Sequence, residues 1–339
     1  MSLSEVIFLF LNISINFLIF KNFNLLKKII PIYDVPNLSR KNHKLPVSVL
    51  GGVWFIFNFF IIILYLNFFN EDLQIKSFFF NLRDKLHLIL FLIIFILIGL
   101  YDDAKDIKYK QKAFIFFFLT FCLFYSNEKL IIYTLRIVFI DNLYLLDLGK
   151  YSFLFSVFSL IFLLISLNFI DGINLNLGLF FCINILFLFF LTKNIFFIYL
   201  IIPITFILYL NYHSRVFFGD SGAYVFSLIL FYFYVNNYNQ GIITFDKIFL
   251  LFLYPFTDFF RVVISRLIKL ENLAVGDRNH FHHILENKYG NISATLIIVI
   301  KQLLVIFSTF FLPSLYIFIF YVFIYYCIFF ISKSKISSL

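Results

Sequence analysis

Long apolar segments recur from one end of the chain to the other, and they limit its fold more strictly than any other sequence feature. A helix needs about 20 mostly apolar residues to cross a bilayer, and about eleven candidate spans can be placed. They are residues 5–20, 50–69, 86–101, 113–125, 152–170, 175–192, 194–211, 222–235, 246–264, 294–311 and 313–331. Because backbone groups must be satisfied inside the hydrocarbon, we expect these spans to be helices.

The composition supports this interpretation. Of 339 residues, 63% are hydrophobic and only 13% are charged, which excludes a soluble protein of two or three domains. The three cysteines lie inside apolar runs without metal-ligand spacing, so they predict neither a disulfide framework nor a zinc site. We predict an all-α polytopic membrane protein with about 10–11 transmembrane helices, organised as a single domain over residues 1–339.

Lysine and arginine are divided unequally between the two sides of these spans, and this predicts the orientation. One set of connections carries 18 of them, whereas the alternate set carries 8. The excess places the first set in the cytoplasm, with the N-terminus outside and the C-terminus inside. The net charge of +9 is then explained by topology and lipid headgroups, and no nucleic-acid partner is expected.

A charged segment separates two apolar spans at residues 100–112. Asp102 and Asp103 are adjacent there, and four lysines follow them, of which Lys112 is the last. Carboxylates near hydrocarbon are costly, so such a cluster is by default a functional-site hypothesis. The carboxylates suit a divalent cation or a base acting on a phosphate, and the lysines can neutralise phosphate oxygens. A solvated hairpin tip of mixed charge is the alternative.

The first predicted cytoplasmic loop, residues 34–46, is shaped by proline and carries three cations and a histidine within five residues. Lys41 and His43 belong to this group, which could hold phosphate. Ordinary cytoplasmic positive charge explains the same residues.

Residues 168–174 form a polar segment between two apolar runs, with no Lys or Arg nearby. Its polar side chains are Asn168, Asp171 and Asn174. A helix cap at the membrane surface explains Asn174. Asp171 has no solubilising purpose there, so we treat it as a candidate site residue.

Residues 218–222 read Phe-Gly-Asp-Ser-Gly, with Asp220 at the centre. The glycines allow close approach of the backbone to a ligand, and the N-terminus of the following helix would favour phosphate. A plain N-cap by Asp220 is the alternative.

The longest cluster covers residues 258–285. Its candidate site residues are Arg278, Asn279, His280, His282 and His283. Three histidines in four positions invite a zinc interpretation, but helical spacing would turn His282 away from the other two, and no cysteine accompanies them. We favour substrate recognition, with arginine for phosphate and with asparagine and histidine for hydroxyl or amide groups.

Taken together and in this order, the five segments resemble the polyprenyl-phosphate N-acetylhexosamine-1-phosphate transferase family over residues 34–290. This is the glycosyltransferase family 4 that includes phospho-N-acetylmuramoyl-pentapeptide transferase and the enzymes that start O-antigen synthesis. The resemblance implies cytoplasmic catalytic loops in a bacterial inner-membrane protein. It also implies transfer of a HexNAc 1-phosphate from a UDP-HexNAc to polyprenyl (undecaprenyl) phosphate, with release of UMP. This would be the first membrane step of a cell-surface polysaccharide such as lipopolysaccharide, dependent on Mg²⁺ or, as a substitute, Mn²⁺. A homodimer is compatible with it.

The resemblance also assigns roles to residues. It implies catalytic roles for Asp102, Asp103 and Asp171, and a metal site at Asp220 with Asn174. The substrate-binding assignments are Lys41, His43, Lys112, Asn168, Asn174, Arg278, Asn279, His280, His282 and His283. The form of residues 277–283 is closer to the N-acetylglucosamine branch than to the muramoyl-pentapeptide branch.

The chain departs from the family pattern at residues 171–177. Leu175 stands where the family commonly has a second glycine, which affects the turn that presents Asn174. Val275 and Gly276 likewise replace the usual proline before the Asp-Arg pair.

Two mechanisms and two functions stay open at this point. In the favoured mechanism, the lipid phosphate attacks the phosphorus that carries the sugar, and in the other Asp103 forms a covalent intermediate. The alternative function is a non-enzymatic lipid-phosphate transporter. A transporter predicts polar groups near the middle of the bilayer, whereas the carboxylates and histidines of this chain cluster on one predicted face.

Overall fold

A computed structural model describes residues 3–36, 45–69, 82–140, 142–271 and 278–334. These residues are mostly helical. The helices are α1 (Leu3–Lys21), α2 (Phe23–Ile29), α3 (Gly51–Phe69), α4 (Leu82–Lys105), α5 (Tyr109–Ser126), α6 (Ser152–Ile170), α7 (Asn176–Thr192), α8 (Phe196–Tyr212), α9 (Gly219–Asn239), α10 (Phe245–Leu251), α11 (Leu253–Ile268), α12 (Phe281–Tyr289), α13 (Asn291–Ser308) and α14 (Ser314–Ser334). The only strands in the described part are two short antiparallel pairs, so the predicted all-α class is confirmed.

Each predicted span coincides with a helix or, for residues 246–264, with the pair α10 and α11, which is bent by 72°. Six described helices are long and apolar enough to cross a membrane, and the bent pair makes a seventh. Helices α7 and α8 are equally apolar but have 17 residues each. At 1.5 Å per residue they reach roughly 26 Å, slightly less than the hydrocarbon thickness.

The chain divides into two compact units. Unit 1 comprises Met1–Lys112 and Leu177–Phe233, and unit 2 comprises Ala113–Asn176 and Tyr234–Leu339.

In unit 1, α8 packs against α1 and α3. A buried polar network lies among these apolar helices: Asn16 Nδ2 donates to Asn58 Oδ1 over 2.8 Å, and Trp54 Nε1 donates to Asn16 Oδ1 over 2.8 Å. Asn12 also accepts from Asn16. Satisfied polar side chains of this kind join helices in a membrane, where apolar contact alone gives little specificity.

A short strand pair in unit 1 brings the first loop to the start of α9. Strand β1 (Tyr33–Asp34) pairs with β2 (Val47–Ser48). The carbonyl of Ser48 accepts the N–H of Phe217 over 2.8 Å, and the carbonyl of Phe217 accepts the N–H of Gly51 over 3.0 Å. These bonds fix the position of the backbone that leads into Gly219.

Unit 2 contains α6, α10 to α14 and a β-hairpin. Strands β3 (Thr134–Phe139) and β4 (Asn142–Asp147) form the hairpin. The mixed polar and apolar residues of the 142–148 segment predict a short strand or hairpin there, and the structure confirms it. Helix α12 packs on α13 and α14, and α11 packs on α6.

Candidate functional site

The end of α4 and the start of α9 meet in unit 1 through the side chain of Asp103. Its Oδ1 accepts the backbone N–H of Asp220 over 2.9 Å, and its Oδ2 accepts that of Ser221 over 3.3 Å. The first N–H groups of a helix have no partner within the helix, so Asp103 acts as a cap supplied from a distant part of the chain.

Asp102 is the centre of an ion-pair network and is only 3% exposed. Lys112 Nζ lies 2.6 Å from Asp102 Oδ2 and 3.2 Å from Asp220 Oδ2. The hydroxyl of Tyr224 donates to Asp102 Oδ2 over 2.6 Å, and the N–H of Ile107 donates to Asp102 Oδ1 over 2.9 Å. Both carboxylate oxygens of Asp102 therefore accept hydrogen bonds, and Lys112 bridges Asp102 and Asp220.

Small residues allow these helices to approach closely enough for this network. A Cβ on Gly99 would lie 2.2 Å from Ser221 Cα, and one on Gly52 would lie 2.7 Å from Gly222 Cα. Gly219 has φ +70°, and a Cβ there would lie 2.7 Å from Asp103 Oδ2. Only glycine satisfies both requirements at position 219.

Two carboxylates, those of Asp102 and Asp220, share the single ammonium of Lys112. Burial lowers the pKa of Lys112, but the carboxylates of Asp220 and Asp102 outweigh that effect and raise the pKa above its ordinary value. The lysine is therefore charged at neutral pH. Asp220 and Lys112 are each 28% exposed, so both are accessible to an anionic substrate or to a cation.

The carboxylate of Asp220 fits a Mg²⁺ ion that takes its other ligands from substrate and water. Among the described residues, no group of three or more His, Cys, Asp or Glu side chains surrounds a common position for a metal ion. Mg²⁺ is usually bound by only one or two carboxylates together with substrate phosphates and water. The accessible carboxylate of Asp220, in an acidic cluster, meets that requirement.

In unit 2, the fully buried Asp258 organises the start of α12. Arg261 Nη2 donates to its Oδ1 over 2.8 Å, and the N–H of Phe281 donates to the same atom over 2.9 Å. Tyr325 Oη donates to it over 3.0 Å, and His280 Nδ1 lies 2.9 Å from Oδ2. Because a carboxylate only accepts, Nδ1 of His280 carries the proton. Asp258 thus fixes the orientation of His280.

The three predicted histidines form one continuous group of rings. His280 and His282 stack with centroids 5.5 Å apart, and His282 lies 4.2 Å from His283. The expectation that His282 faces away from the others is wrong, because the helix begins at Phe281 and His280 precedes it with extended backbone. The described residues still offer no three-ligand metal site there.

His282 is completely buried, and neither of its ring nitrogens has a hydrogen-bond partner among the described residues. A Cβ on Gly172 would lie 2.2 Å from His282 Nε2 and 2.8 Å from His283 Nε2, so the 171–172 backbone directly adjoins these rings. Burial, followed by the neighbouring His283 and His280, holds the pKa of His282 well below its ordinary value. Burial also lowers the pKa of His283, against the opposing effect of Glu286.

The other predicted residues of unit 2 include Arg278, Asn279, Asn168 and Asp171. Arg278 pairs with Glu286 over 2.8 Å, and the carbonyl of Asn279 accepts from Arg261. The carbonyl of Asn168 accepts the N–H of Asp171 over 3.2 Å. These residues stay candidates for substrate binding and catalysis.

The turn that contains Asn174 survives without the second glycine. Leu175 adopts φ +71°, a left-handed conformation that costs a leucine roughly 1–2 kcal/mol. The carbonyl of Asn174 accepts a hydrogen bond from Thr295 Oγ1 over 3.3 Å. Asn174 belongs to unit 2, and its role as a metal ligand stays a prediction. Lys41 and His43, the candidates in the first loop, lie outside the described residues.

Four residues that the structure places in these clusters were not among the predicted site residues. Tyr224 bonds Asp102, and Asp258, Arg261 and Tyr325 form the support of His280. Asp258 and Arg261 carried a usable signal, because charges inside an apolar helix default to a functional or paired role. The two tyrosines carried none in a chain with 21 tyrosines.

Lys301 is a further unexpected residue, buried inside α13. Its Nζ lies 4.3–5.6 Å from the ring centroids of Phe281, Tyr325, Tyr321 and Tyr254. Aromatic faces stabilise a cation at this range. Lys301 therefore contacts Phe281, which lies between His280 and His282 in the sequence, and Tyr325, which donates to Asp258.

Residues 86–237 match the family model for glycosyl transferase family 4. The match includes the 102–112, 168–174 and 218–222 segments, and it confirms the resemblance inferred from the motifs. The first loop and the histidine segment lie outside the matched range. No curated protein matches the chain.

Proposed function

Residues 86–237 are a glycosyl transferase family 4 sequence in a multi-pass membrane protein, and from this premise we propose a specific reaction. The protein transfers a HexNAc 1-phosphate from a UDP-HexNAc to polyprenyl (undecaprenyl) phosphate and releases UMP. The product, a polyprenyl-diphospho-sugar, is the first lipid-linked intermediate of a bacterial envelope polysaccharide. The family supports sugar-phosphate transfer to a polyprenyl phosphate in general, and the HexNAc donor is our extension.

The observation that carries the proposal is the Asp102–Lys112–Asp220 network at the capped start of α9. Phosphoryl transfer requires positioning and charge neutralisation more than covalent help from the protein. Lys112 supplies a positive charge that is already fixed by two carboxylates, and it needs no reorganisation when a phosphate binds. A partly exposed carboxylate, Asp220, lies beside it.

Asp220 is the residue that we propose holds Mg²⁺, or Mn²⁺ in its place. When bound, such an ion supplies neutralisation of the diphosphate oxygens. Asp103 holds the backbone of Asp220 and Ser221 in place through two hydrogen bonds. Mutation of Asp103 should therefore disturb the geometry at Asp220 even though Asp103 need not touch substrate.

We favour direct attack over a covalent aspartyl intermediate. An oxygen of the lipid phosphate forms a bond to the phosphorus that carries the sugar, and the bond from that phosphorus to the UMP oxygen breaks. A phosphate monoester is largely ionised at neutral pH, so little proton transfer is needed. Both carboxylate oxygens of Asp103 accept backbone N–H groups, which makes Asp103 a poor nucleophile in this conformation.

The histidine segment of unit 2 is proposed to recognise the nucleotide sugar. His280 is held by Asp258, and His282 keeps neutral ring nitrogens beside Gly172. Neutral imidazoles can both donate to and accept from sugar hydroxyl and amide groups. Arg278 and Asn279 would add phosphate and amide contacts.

The test is UMP release by membranes that contain the protein, supplied with Mg²⁺, undecaprenyl phosphate and a panel of UDP-sugars. We expect UMP and a labelled lipid product with one or more UDP-HexNAc donors, and neither without the lipid acceptor. Movement of polyprenyl phosphate across vesicles without any UMP would instead establish the transporter alternative. An enzyme trapped with sugar 1-phosphate bound covalently to Asp103, after UMP release from UDP-sugar alone, would establish the covalent route.

A further inference from the structure

The β3–β4 hairpin presents an unusual apolar surface. All six residues of β4 are exposed, and four consecutive ones are Leu143, Tyr144, Leu145 and Leu146, between 55% and 67% exposed. Alternate residues of a strand face opposite sides, so both faces of β4 are apolar. A surface of this kind in water would be an aggregation hazard.

Hydrogen bonds from β3 attach the hairpin to other parts of unit 2. The N–H of Arg136 donates to Tyr238 Oη over 2.8 Å, and that of Val138 donates to Asp246 Oδ1 over 3.1 Å. These bonds occupy the edge of β3 that faces away from β4. The outward presentation of β4 is therefore a property of the fold and not of a loose loop.

The hairpin also lies close to a membrane boundary. The candidate span Gly149–Ile170 begins two residues after β4 ends at Asp147, so at most about 7 Å of chain separates them. Exposed Leu154 and Phe158 mark one face of α6, and exposed Tyr151 immediately precedes this helix. In a spanning helix such a face contacts lipid. The apolar surface of β4 continues this lipid-facing surface along the chain.

Exposed tyrosines flank the hairpin on both sides. Tyr125 and Tyr133 precede β4, and Tyr144 and Tyr151 lie within and after it. Tyrosine is enriched where hydrocarbon meets water, because its ring is apolar and its hydroxyl is polar. In the described part of the chain, the edge of β4 that faces away from β3 pairs with no other strand. This excludes immersion of β4 in the hydrocarbon core, where the N–H and C=O groups of that edge would have no partner.

We propose that the β3–β4 hairpin is an interfacial anchor, whose β4 side chains insert into the headgroup and upper acyl region of the bilayer. The partner is the lipid surface itself. The anchor would fix the depth of the adjoining ends of α5 and α6 in the membrane. It is independent of the proposed transferase reaction.

The test uses nitroxide labels on cysteines introduced by Leu145→Cys or, as a control, by Glu128→Cys. Cys122, Cys182 and Cys327 are first replaced by alanine, and each protein is reconstituted into phosphatidylethanolamine–phosphatidylglycerol vesicles. We expect the ratio of oxygen to nickel-chelate collision at position 145 to be several-fold higher than at exposed position 128. Both labelled proteins should elute from size exclusion like the unlabelled one, which verifies folding.

Two outcomes would overturn the proposal. Equal ratios at positions 145 and 128 would place β4 in water. Spin–spin broadening at 145, with low accessibility to both reagents, would show that β4 pairs with β4 of a second copy. Because the readout is membrane depth, an inactive protein would still decide the question.

Discussion

Asp102 shows how one side chain of this chain can be both buried and charged. It lies at the end of an apolar helix, and a carboxylate there is stable only if donors replace water. Lys112, Tyr224 and the N–H of Ile107 supply these donors. The sequence predicted that Asp102 and Lys112 belong to one site, but it gave no reason to choose Tyr224.

Replacing Lys112 by methionine should leave Asp102 buried without its counter-ion. Removing one partner of a fully buried ion pair costs roughly 3–5 kcal/mol. Since Lys112 is 28% exposed, we expect a smaller loss of about 2 kcal/mol. Thermal unfolding of the purified protein in detergent measures this. Lys110→Met, at an exposed position of the same helix, is the matched control and should change the free energy of unfolding by less than about 0.5 kcal/mol. Equal losses in both variants would contradict the network.

At the scale of the helix, the site depends on how closely α4 approaches α9. Gly99 faces Ser221, whose N–H is one of the two groups that Asp103 caps. A side chain at position 99 would therefore separate the carboxylates from the helix that they support. The close approach links the packing of two apolar helices to the placement of Asp220.

Gly99→Ala should lower the free energy of unfolding by about 3 kcal/mol, because its Cβ would lie 2.2 Å from Ser221 Cα, a backbone atom that cannot turn aside. Leu97→Ala on the same helix is the control, since Leu97 is exposed and should cost little. Denaturant or thermal unfolding in detergent measures both. The predicted helix contact is wrong if Gly99→Ala is as stable as the parent protein.

Much of the secondary structure was predictable from the sequence, for reasons that differ from one segment to the next. The apolar runs predicted the positions of the long apolar helices in the described part of the chain, because length and hydropathy are local properties. The mixed polarity of residues 142–148 predicted a short strand or hairpin there, but it did not predict the partner strand Thr134–Phe139. The positive φ of Leu175 was not, since leucine gives no signal for a left-handed turn, and the distant pairing of Asp103 with the start of α9 depends on tertiary packing.

At the scale of the whole protein, pH should affect stability through the buried histidines. The pKa values of His282 and His283 are lowered in the folded state, so below about pH 6.5, the ordinary value, the unfolded chain binds protons first. Stability is therefore retained above pH 6.5 and lost as the pH falls, by up to about 1.4 kcal/mol per pH unit for each group.

The melting temperature of the protein in detergent, measured from pH 7.5 down to 5.5, tests this effect. His282→Gln should reduce the loss of stability over this range, whereas His213→Gln, at an exposed histidine, should leave it unchanged. If the His282→Gln variant loses as much stability on acidification as the parent protein, His282 does not stay neutral in the fold.

The central claim is that the accessible carboxylate beside Lys112 serves phosphoryl transfer. UMP release from a UDP-HexNAc, measured in membranes with undecaprenyl phosphate and Mg²⁺, tests it with two variants. Asp220→Asn keeps the shape but removes the charge and should reduce the rate by at least about a hundredfold. Asp106→Asn changes an exposed carboxylate with φ +51°, a conformation that asparagine tolerates, and should stay within about twofold of the parent. Full activity of Asp220→Asn would contradict the account.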